Sequence, residues 1–181
     1  MKDRIARLLK AAIEYDRGDV RRIFHLTKVH DMAALLGKME RLDADEQDVL
    51  EAAAVLHDIG IHLSEKKYGS SAGHYQEKEG PAEVLLLLKQ TAEWNATEME
   101  RICFLVGHHH TYHDIQGMDY QLLVEADFLV NIQEDSLSPE RVSHIRERIF
   151  RSRSGLQLLD ALYGGHPWEA APAHDACHGM C

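Results

Sequence analysis

Apolar residues recur at helical spacing along almost the whole chain, and no useful run alternates as a β-strand does. The first two such stripes contain Ile5, Leu8, Ala12, Ile13, Val29, Met32, Ala33 and Leu36. Side chains three and four positions apart share one face of a helix, so each stripe can face a common core. The 181 residues, of which 45% are hydrophobic, are enough for one core. The sequence therefore predicts an all-α helical bundle.

Turn and capping signals divide the first half of the chain into helices. Gly18-Asp19 separates the first two, and Asp43 with Glu46 resembles a capping box that opens a third. That third helix carries an apolar run as far as Leu56 and ends at Gly60. Residues 61–79 contain many glycines, serines and lysines without a clear period, and we expect a loop there.

Similar signals mark the second half. Gly80-Pro81 predicts a helix start, and Thr97 with Glu100 predicts the cap of the next helix. Further helices are predicted over Leu122 to Glu134, from Ser138-Pro139 to Phe150, and over Leu156 to Tyr163. We expect one domain over 1–165, with its motif-bearing core at about 20–135, and a flexible tail rich in His, Cys and Pro over 166–181.

Charge and cysteine content restrict the partners. A formal net charge of -10 argues against binding of duplex nucleic acid, which requires basic side chains against phosphates. Three cysteines imply no disulfide framework, the longest apolar run (Val84 to Leu88) is too short to span a bilayer, and the N-terminus lacks a signal peptide. We expect a cytoplasmic protein that binds a small molecule and no membrane; self-association stays open.

An adjacent His-Asp pair at the end of an apolar helix predicts a metal ligand set. Four such dipeptides occur, at His30-Asp31, His57-Asp58, His113-Asp114 and His174-Asp175. Only His57-Asp58 follows a long apolar run, Ala52 to Leu56, directly before a helix-stopping glycine. The alternative is a capped, structurally buried pair.

Three further positions place a metal-binding side chain on an inward-facing stripe. His25 shares its stripe with Val29, and His109 continues the stripe of Leu105 and Val106. Asp127 stands where a core-facing helix should carry an apolar residue, and a buried carboxylate needs a cation, a salt bridge or a helix end. His108 lies on the face next to that of His109 and is a further candidate ligand. Three consecutive histidines cannot all point at one site while a helix continues, so His110 is the doubtful member.

The order His25, His57-Asp58, His108-His109, Asp127, with the frame His57-Asp58-Ile59-Gly60, resembles the HD-domain superfamily of metal-dependent phosphohydrolases. The resemblance covers roughly residues 20 to 135. It implies an all-α bundle whose ligands converge from several helices. It also implies metal ligation by His25, His57, Asp58, His108, His109 and Asp127, and attack of metal-activated water on a phosphoester.

One position departs from the superfamily pattern. Members with two or more metals usually carry another histidine after the His-Asp pair, and Gln76 stands there if the glycines correspond, with His74 and Glu77 as alternatives. One metal site is therefore expected on His25, His57, Asp58 and Asp127. A second metal, held by His108 and His109, stays open.

These residues suggest hydrolysis of a small-molecule phosphoester, with a nucleotide favoured. Mixed imidazole and carboxylate ligands suit Mn, Fe, Co, Ni or Zn better than Mg. Asp58 can touch both metal and nucleophile and is the expected catalytic base or water-orienting group. The candidate substrate-binding residues are Arg22, Lys28, Lys66, Lys67, His110 and Asn131.

Three alternatives remain at the level of sequence. The domain could sense a nucleotide without hydrolysing it, or it could be a di-iron oxygenase on the same scaffold, which the absence of a histidine at Gln76 disfavours. Separately, the tail carries closely spaced zinc-binding side chains, although a disordered tail is the favoured explanation. These are His174, Cys177, His178 and Cys181.

Overall fold

The computed structural model describes residues 1–91 and 94–164, and their regular structure is entirely α-helical. The predicted all-α fold is confirmed. The helices are α1 (Asp3–Tyr15), α2 (Val20–Met39), α3 (Ala44–Leu56), α4 (Ile61–Tyr68), α5 (Gly73–Thr91), α6 (Ala96–Val106), α7 (Met118–Glu134), α8 (Pro139–Arg148) and α9 (Arg153–Tyr163).

Helix α3 lies at the centre of the bundle. Every residue from Gln47 to Leu56 is buried, because α1, α2, α6 and α7 all pack against it. The last part of the helix, Ala52 to Leu56, is apolar on all sides and belongs in the interior, and the three alanines at 52–54 let its neighbours approach closely. The Asp43 side chain accepts hydrogen bonds from the backbone N–H groups of Asp45 and Glu46, which fixes the start of the helix as expected. The other end delivers His57 and Asp58 into the protein interior.

Helices α2 and α7 pack against α3 and against each other. They supply fully buried apolar side chains, among them Val29, Ala33, Leu36, Leu122, Leu123 and Ala126. Because the polar residues of the site stand on these same inward faces, the packing of α2, α3 and α7 brings them together.

The loop predicted over 61–79 is wrong, because α4 and the start of α5 occupy most of it. Ile61 and Ser64 are buried, and the Ser64 hydroxyl donates to the Gly60 carbonyl oxygen over 2.8 Å. The break is confined to residues 69–72, where Gly69 ends α4 in the left-handed conformation with φ 65°. Tertiary packing stabilises a helix that its polar composition did not predict.

Two predicted helix starts also differ. Pro81 lies inside α5, which begins at Gly73, so the helix accommodates the missing proline N–H in its interior. Helix α6 is capped by Asn95 with Glu98, two residues earlier than the predicted pair Thr97 and Glu100. Asn95 and Glu98 satisfy each other's backbone N–H groups at 3.0 and 2.8 Å.

Among the described residues, no helix is both long and apolar enough to cross a membrane. Residues 166–181, the predicted tail with its suggested zinc ligands, lie outside the described residues.

Candidate metal centre

Five polar side chains converge from four parts of the bundle. They come from the middle of α2, the end of α3, the turn after α6 and the middle of α7. They are His25, His57, Asp58, His109 and Asp127. All but Asp58 are buried, and the Asp58 side chain keeps 17% of its surface exposed. The cluster therefore reaches solvent through one carboxylate.

The first group of donor atoms has the spacing of a metal coordination shell. The Nε2 atom of His25 lies 3.1 Å from Nε2 of His57, 3.3 Å from Oδ1 of Asp127 and 3.5 Å from Oδ2 of Asp58. The Nε2 atom of His57 lies 3.5 Å from Oδ2 of Asp58 and 3.6 Å from Oδ1 of Asp127. Ligands about 2.1 Å from one ion stand about 3 to 3.5 Å from each other, so His25, His57 and Asp58 fit around a single cation, and Asp127 Oδ1 lies beside both imidazoles.

Hydrogen bonds to the opposite ring nitrogens fix which imidazole atom is free to bind the ion. Nδ1 of His57 lies 2.8 Å from the carbonyl oxygen of Ala54, and Nδ1 of His25 lies 3.0 Å from a carboxylate oxygen of Glu134. Carbonyl and carboxylate oxygens accept, so both Nδ1 atoms carry the proton. The two Nε2 lone pairs then face each other, which requires a proton or a metal ion between them.

A second group shares Asp58 with the first. Ligand atoms of Asp58, His109 and His110 lie within 4.8 Å of one another, and His109 Nε2 is 3.6 Å from Asp58 Oδ1. His109 also donates from Nδ1 to the Val106 carbonyl oxygen over 2.8 Å. The Nε2 atoms of His109 and His110 are buried without a hydrogen-bond partner in the described part of the chain. Leaving buried polar atoms unpaired costs free energy, and a cation beside Asp58 would remove that cost.

The pKa values of His57 and Asp127 show that a proton on the imidazole can balance the carboxylate charge when no metal is bound. Burial acts to lower the pKa of His57, but Asp58 and Asp127 outweigh it and raise the pKa to about 9. Burial likewise acts to raise the pKa of Asp127, but hydrogen bonds from His25 and His57 hold it well below its usual range. Without metal, the group is held together by protonated imidazole paired with ionised carboxylates.

Comparison with known proteins agrees with this geometry. A family model described as HD domain matches residues 22–152. The chain belongs to the HD-domain family. Members of this family are generally metal-dependent phosphohydrolases, and the His-Asp groups of this HD domain could hold a divalent metal. No curated protein and no solved structure matched the chain.

The histidine triplet of the HD domain is arranged differently from the prediction. His108 was expected among the ligands, but it is exposed, stacks on the Phe104 ring and lies 2.7 Å through Nδ1 from the Phe104 carbonyl oxygen. His110, the doubtful member, joins His109 and Asp58 instead. The physical reason is that α6 ends at Val106 and the chain turns through Gly107, so helical positions no longer describe the faces beyond it.

Gln76, His74 and Glu77 are the candidates for the place of the missing superfamily histidine. None of them joins either ligand group in the described residues. Gln76 is buried and donates to the Ser71 carbonyl oxygen over 2.7 Å, while His74 is exposed. Glu77 accepts from the backbone N–H of His110 at 3.0 Å and therefore supports the turn that holds this histidine.

The candidate substrate-binding cations are mostly engaged with carboxylates. Lys28 lies 2.5 Å from Glu134, and Lys67 lies 2.5 Å from Glu79. Arg22 lies near Asp19 and Glu65 at 3.1 and 3.3 Å, whereas Lys66 is exposed. Asn131 donates to Asp127 Oδ1 over 2.8 Å, so it orients a candidate ligand. Contact of any of these residues with substrate stays a prediction.

Sequence reasoning missed Glu134, whose carboxylate orients the ring of His25. The signal was present, because Glu134 stands two helical turns after Asp127 and therefore on the same face of α7. Tyr112 was also not among the predicted site residues, and its hydroxyl lies 3.3 Å from Nδ1 of His110. Tyr112 belongs to a loop, and no helical pattern could place it.

Proposed function

We propose that this HD domain hydrolyses a phosphoester of a small molecule, a nucleotide in class, with a divalent transition metal as its cofactor. The observation that carries the proposal is the pair of opposed imidazole lone pairs, His25 Nε2 and His57 Nε2, 3.1 Å apart beside two carboxylates. A mixed nitrogen and oxygen donor set of this kind favours Mn, Fe, Co, Ni or Zn over Mg.

When bound, a divalent metal lowers the pKa of water and polarises a phosphoryl oxygen. His25, His57, Asp58 and Asp127 would hold it, and all of these side chains except Asp58 are buried. Burial excludes competing solvent and keeps their geometry fixed. The ring of His25 is fixed in turn by Glu134, and Asp127 by Asn131.

Asp58 is the residue that faces both the ligand groups and solvent. One of its oxygens lies beside His25 and His57, and the other lies beside His109. Burial acts to raise its pKa, but His57 and His109 lower it, so Asp58 is ionised at neutral pH. A carboxylate of low pKa is a weak base but a good hydrogen-bond acceptor. Asp58 therefore orients the nucleophilic water more than it removes its proton.

The test is a phosphatase screen of the purified chain after metal removal and reloading with Mn, Fe, Co, Ni, Zn or Mg. The panel contains nucleoside mono-, di- and triphosphates, cyclic dinucleotides and sugar phosphates. Hydrolysis that depends on the added metal is expected. No hydrolysis of any member with any metal would leave a non-hydrolytic nucleotide sensor as the better account.

Matched variants make the screen specific for this site. Asp58→Ala and Asp127→Ala should each lower kcat by at least about 100-fold, since each removes a ligand. Asp31→Ala is the control, because Asp31 belongs to another His-Asp dipeptide and its side chain is 72% exposed. Full activity in both site variants would refute the proposed centre.

A further inference from the structure

A cleft of about 240 Å³ is lined in part by Tyr112. The Tyr112 hydroxyl contacts Nδ1 of His110, which belongs to the second ligand group, and its ring forms part of the cleft lining. One side chain therefore contacts both the second ligand group and the cleft. The volume is below the 300–1,000 Å³ of a typical small-molecule site, so the cleft suits part of a substrate.

The lining of the cleft is cationic in a chain that is acidic overall. Arg148 and Arg151 both contribute to it, together with Ile115 and Ile149. The acidic member of the lining, Asp114, is largely exposed to solvent, and the two arginines outnumber it. The cleft is therefore a local positive region on a chain whose formal net charge is -10.

Neither guanidinium is neutralised by a carboxylate within the described ranges 1–91 and 94–164. Arg151 donates to the carbonyl oxygens of Glu147, Arg148 and Phe150 at 2.8 to 2.9 Å, which orients the group but leaves its charge. The buried Glu125 accepts from the backbone N–H of Arg151 at 2.6 Å and so anchors this segment. Arg148 forms no ion pair or hydrogen bond through its side chain in the described part of the chain.

Guanidinium groups match phosphate oxygens in geometry and charge. We infer that this cleft is a phosphate subsite, and that the substrate is a phosphoester carrying a second phosphoryl group, which Arg148 and Arg151 bind while the first is cleaved at the histidine cluster. The inference rests on the proposed function for its substrate class. Such a subsite would favour nucleoside di-, tri- and bisphosphates over simple monophosphates.

The chain offers a matched control on the same helix. Arg146 also lies on α8, but it is paired with Asp160 at 2.9 Å and is not part of the cleft lining. Arg148→Gln and Arg146→Gln therefore remove the same charge from the same helix, and only the first removes it from the cleft.

Pyrophosphate binding to the metal-free protein tests the subsite without any activity. Calorimetric titration should show binding to wild type and to Arg146→Gln, and affinity about 10-fold lower in Arg148→Gln, the value of one charge-assisted contact near the surface. The histidine cluster, with its ionised carboxylates, should not compete for this anion. Equal affinity in all three proteins, or no binding to wild type, would overturn the subsite.

A kinetic measurement tests whether the subsite selects substrates that carry a second phosphoryl group. The ratio of kcat/KM for an adenosine diphosphate or bisphosphate to that for the monophosphate should fall about 10-fold in Arg148→Gln and stay unchanged in Arg146→Gln. An unchanged ratio in Arg148→Gln would overturn the assignment even if wild type is an active hydrolase. Failure of the proposed function would appear differently, as inactivity of wild type toward every phosphoester despite intact pyrophosphate binding.

Discussion

The carboxylate of Glu134 should determine how tightly the first ligand group holds a metal. Its Oε2 atom accepts from Nδ1 of His25 at 3.0 Å, which keeps the Nε2 lone pair directed at His57 and Asp127. Carboxylates in this position increase the basicity of the ligating imidazole, and their removal typically costs 10- to 100-fold in metal affinity. No ligand is removed when Glu134 is changed, so any loss reports orientation and charge alone.

Two substitutions separate these contributions. Glu134→Gln keeps an acceptor oxygen for His25 but loses the charge, so we expect a decrease in affinity of about 10-fold, or about 1.4 kcal/mol. Glu134→Ala removes both, and a decrease approaching about 100-fold is expected. Lys28→Gln is the control, because it removes the 2.5 Å ion pair with Glu134 and keeps the carboxylate. An exposed ion pair of this type should change affinity by less than about fivefold.

Affinity is measured by competition of Zn or Co with a chromogenic chelator, and circular dichroism confirms that each variant is folded. If both Glu134 variants bind metal as tightly as wild type, the carboxylate does not orient His25 and the assigned ring polarity is wrong. Equal losses in Lys28→Gln and Glu134→Gln would attribute the effect to the ion pair instead.

The remaining predictions concern the second ligand group, the helix packing and pH. His110→Ala should weaken or abolish a second bound metal in titrations, and His108→Ala should not, because only His110 lies beside Asp58 and His109; the reverse result would restore the helical assignment. Gly60→Ala should destabilise the fold by about 2 kcal/mol or more in urea unfolding, since its Cβ would lie 2.7 Å from a backbone oxygen of α5, and an unchanged midpoint would contradict this contact. The buried ion pair of His30 with Glu51, 3.3 Å long, should make stability depend on pH. Burial acts against both charges, yet the pKa of His30 is raised and that of Glu51 is lowered, mainly through their mutual hydrogen bond. The contribution of His30 is full below its unfolded pKa of about 6.5 and is lost as pH rises through its raised folded value. The contribution of Glu51 is full above about 4.3 and is lost as pH falls through its lowered value. The difference in unfolding free energy between wild type and His30→Gln should therefore shrink as pH rises from about 6.5 through the raised folded pKa of His30, and a constant difference would show that the pair does not titrate.

The sequence predicted the fold where helical stripes are long and regular. His25, His57 and Asp127 stand on such stripes, and the positions of their side chains in α2, at the end of α3 and in α7 follow from the period of the helix. Asp58 could be chosen over the other His-Asp dipeptides because the apolar run Ala52 to Leu56 before it predicts a buried helix end, and this part of α3 is buried.

Prediction failed where the helix stops or where packing overrides composition. His108 and His110 exchanged places because the chain turns at Gly107, and a helical extrapolation carries no information beyond that point. Helix α4 is polar enough to resemble a loop, and it forms because two of its residues, Ile61 and Ser64, are buried against the core. The cleft beside Tyr112 combines a loop with the end of α8, and only the three-dimensional structure brings them together.

The central claim is that His25, His57, Asp58 and Asp127 bind one divalent metal ion. Anomalous diffraction from crystals of the Co-loaded protein tests it most directly. The account predicts a peak between these four residues, about 2.0 to 2.2 Å from the Nε2 atoms of both histidines. A cobalt ion bound only elsewhere, or no peak at this position in crystals grown with excess cobalt, would contradict it.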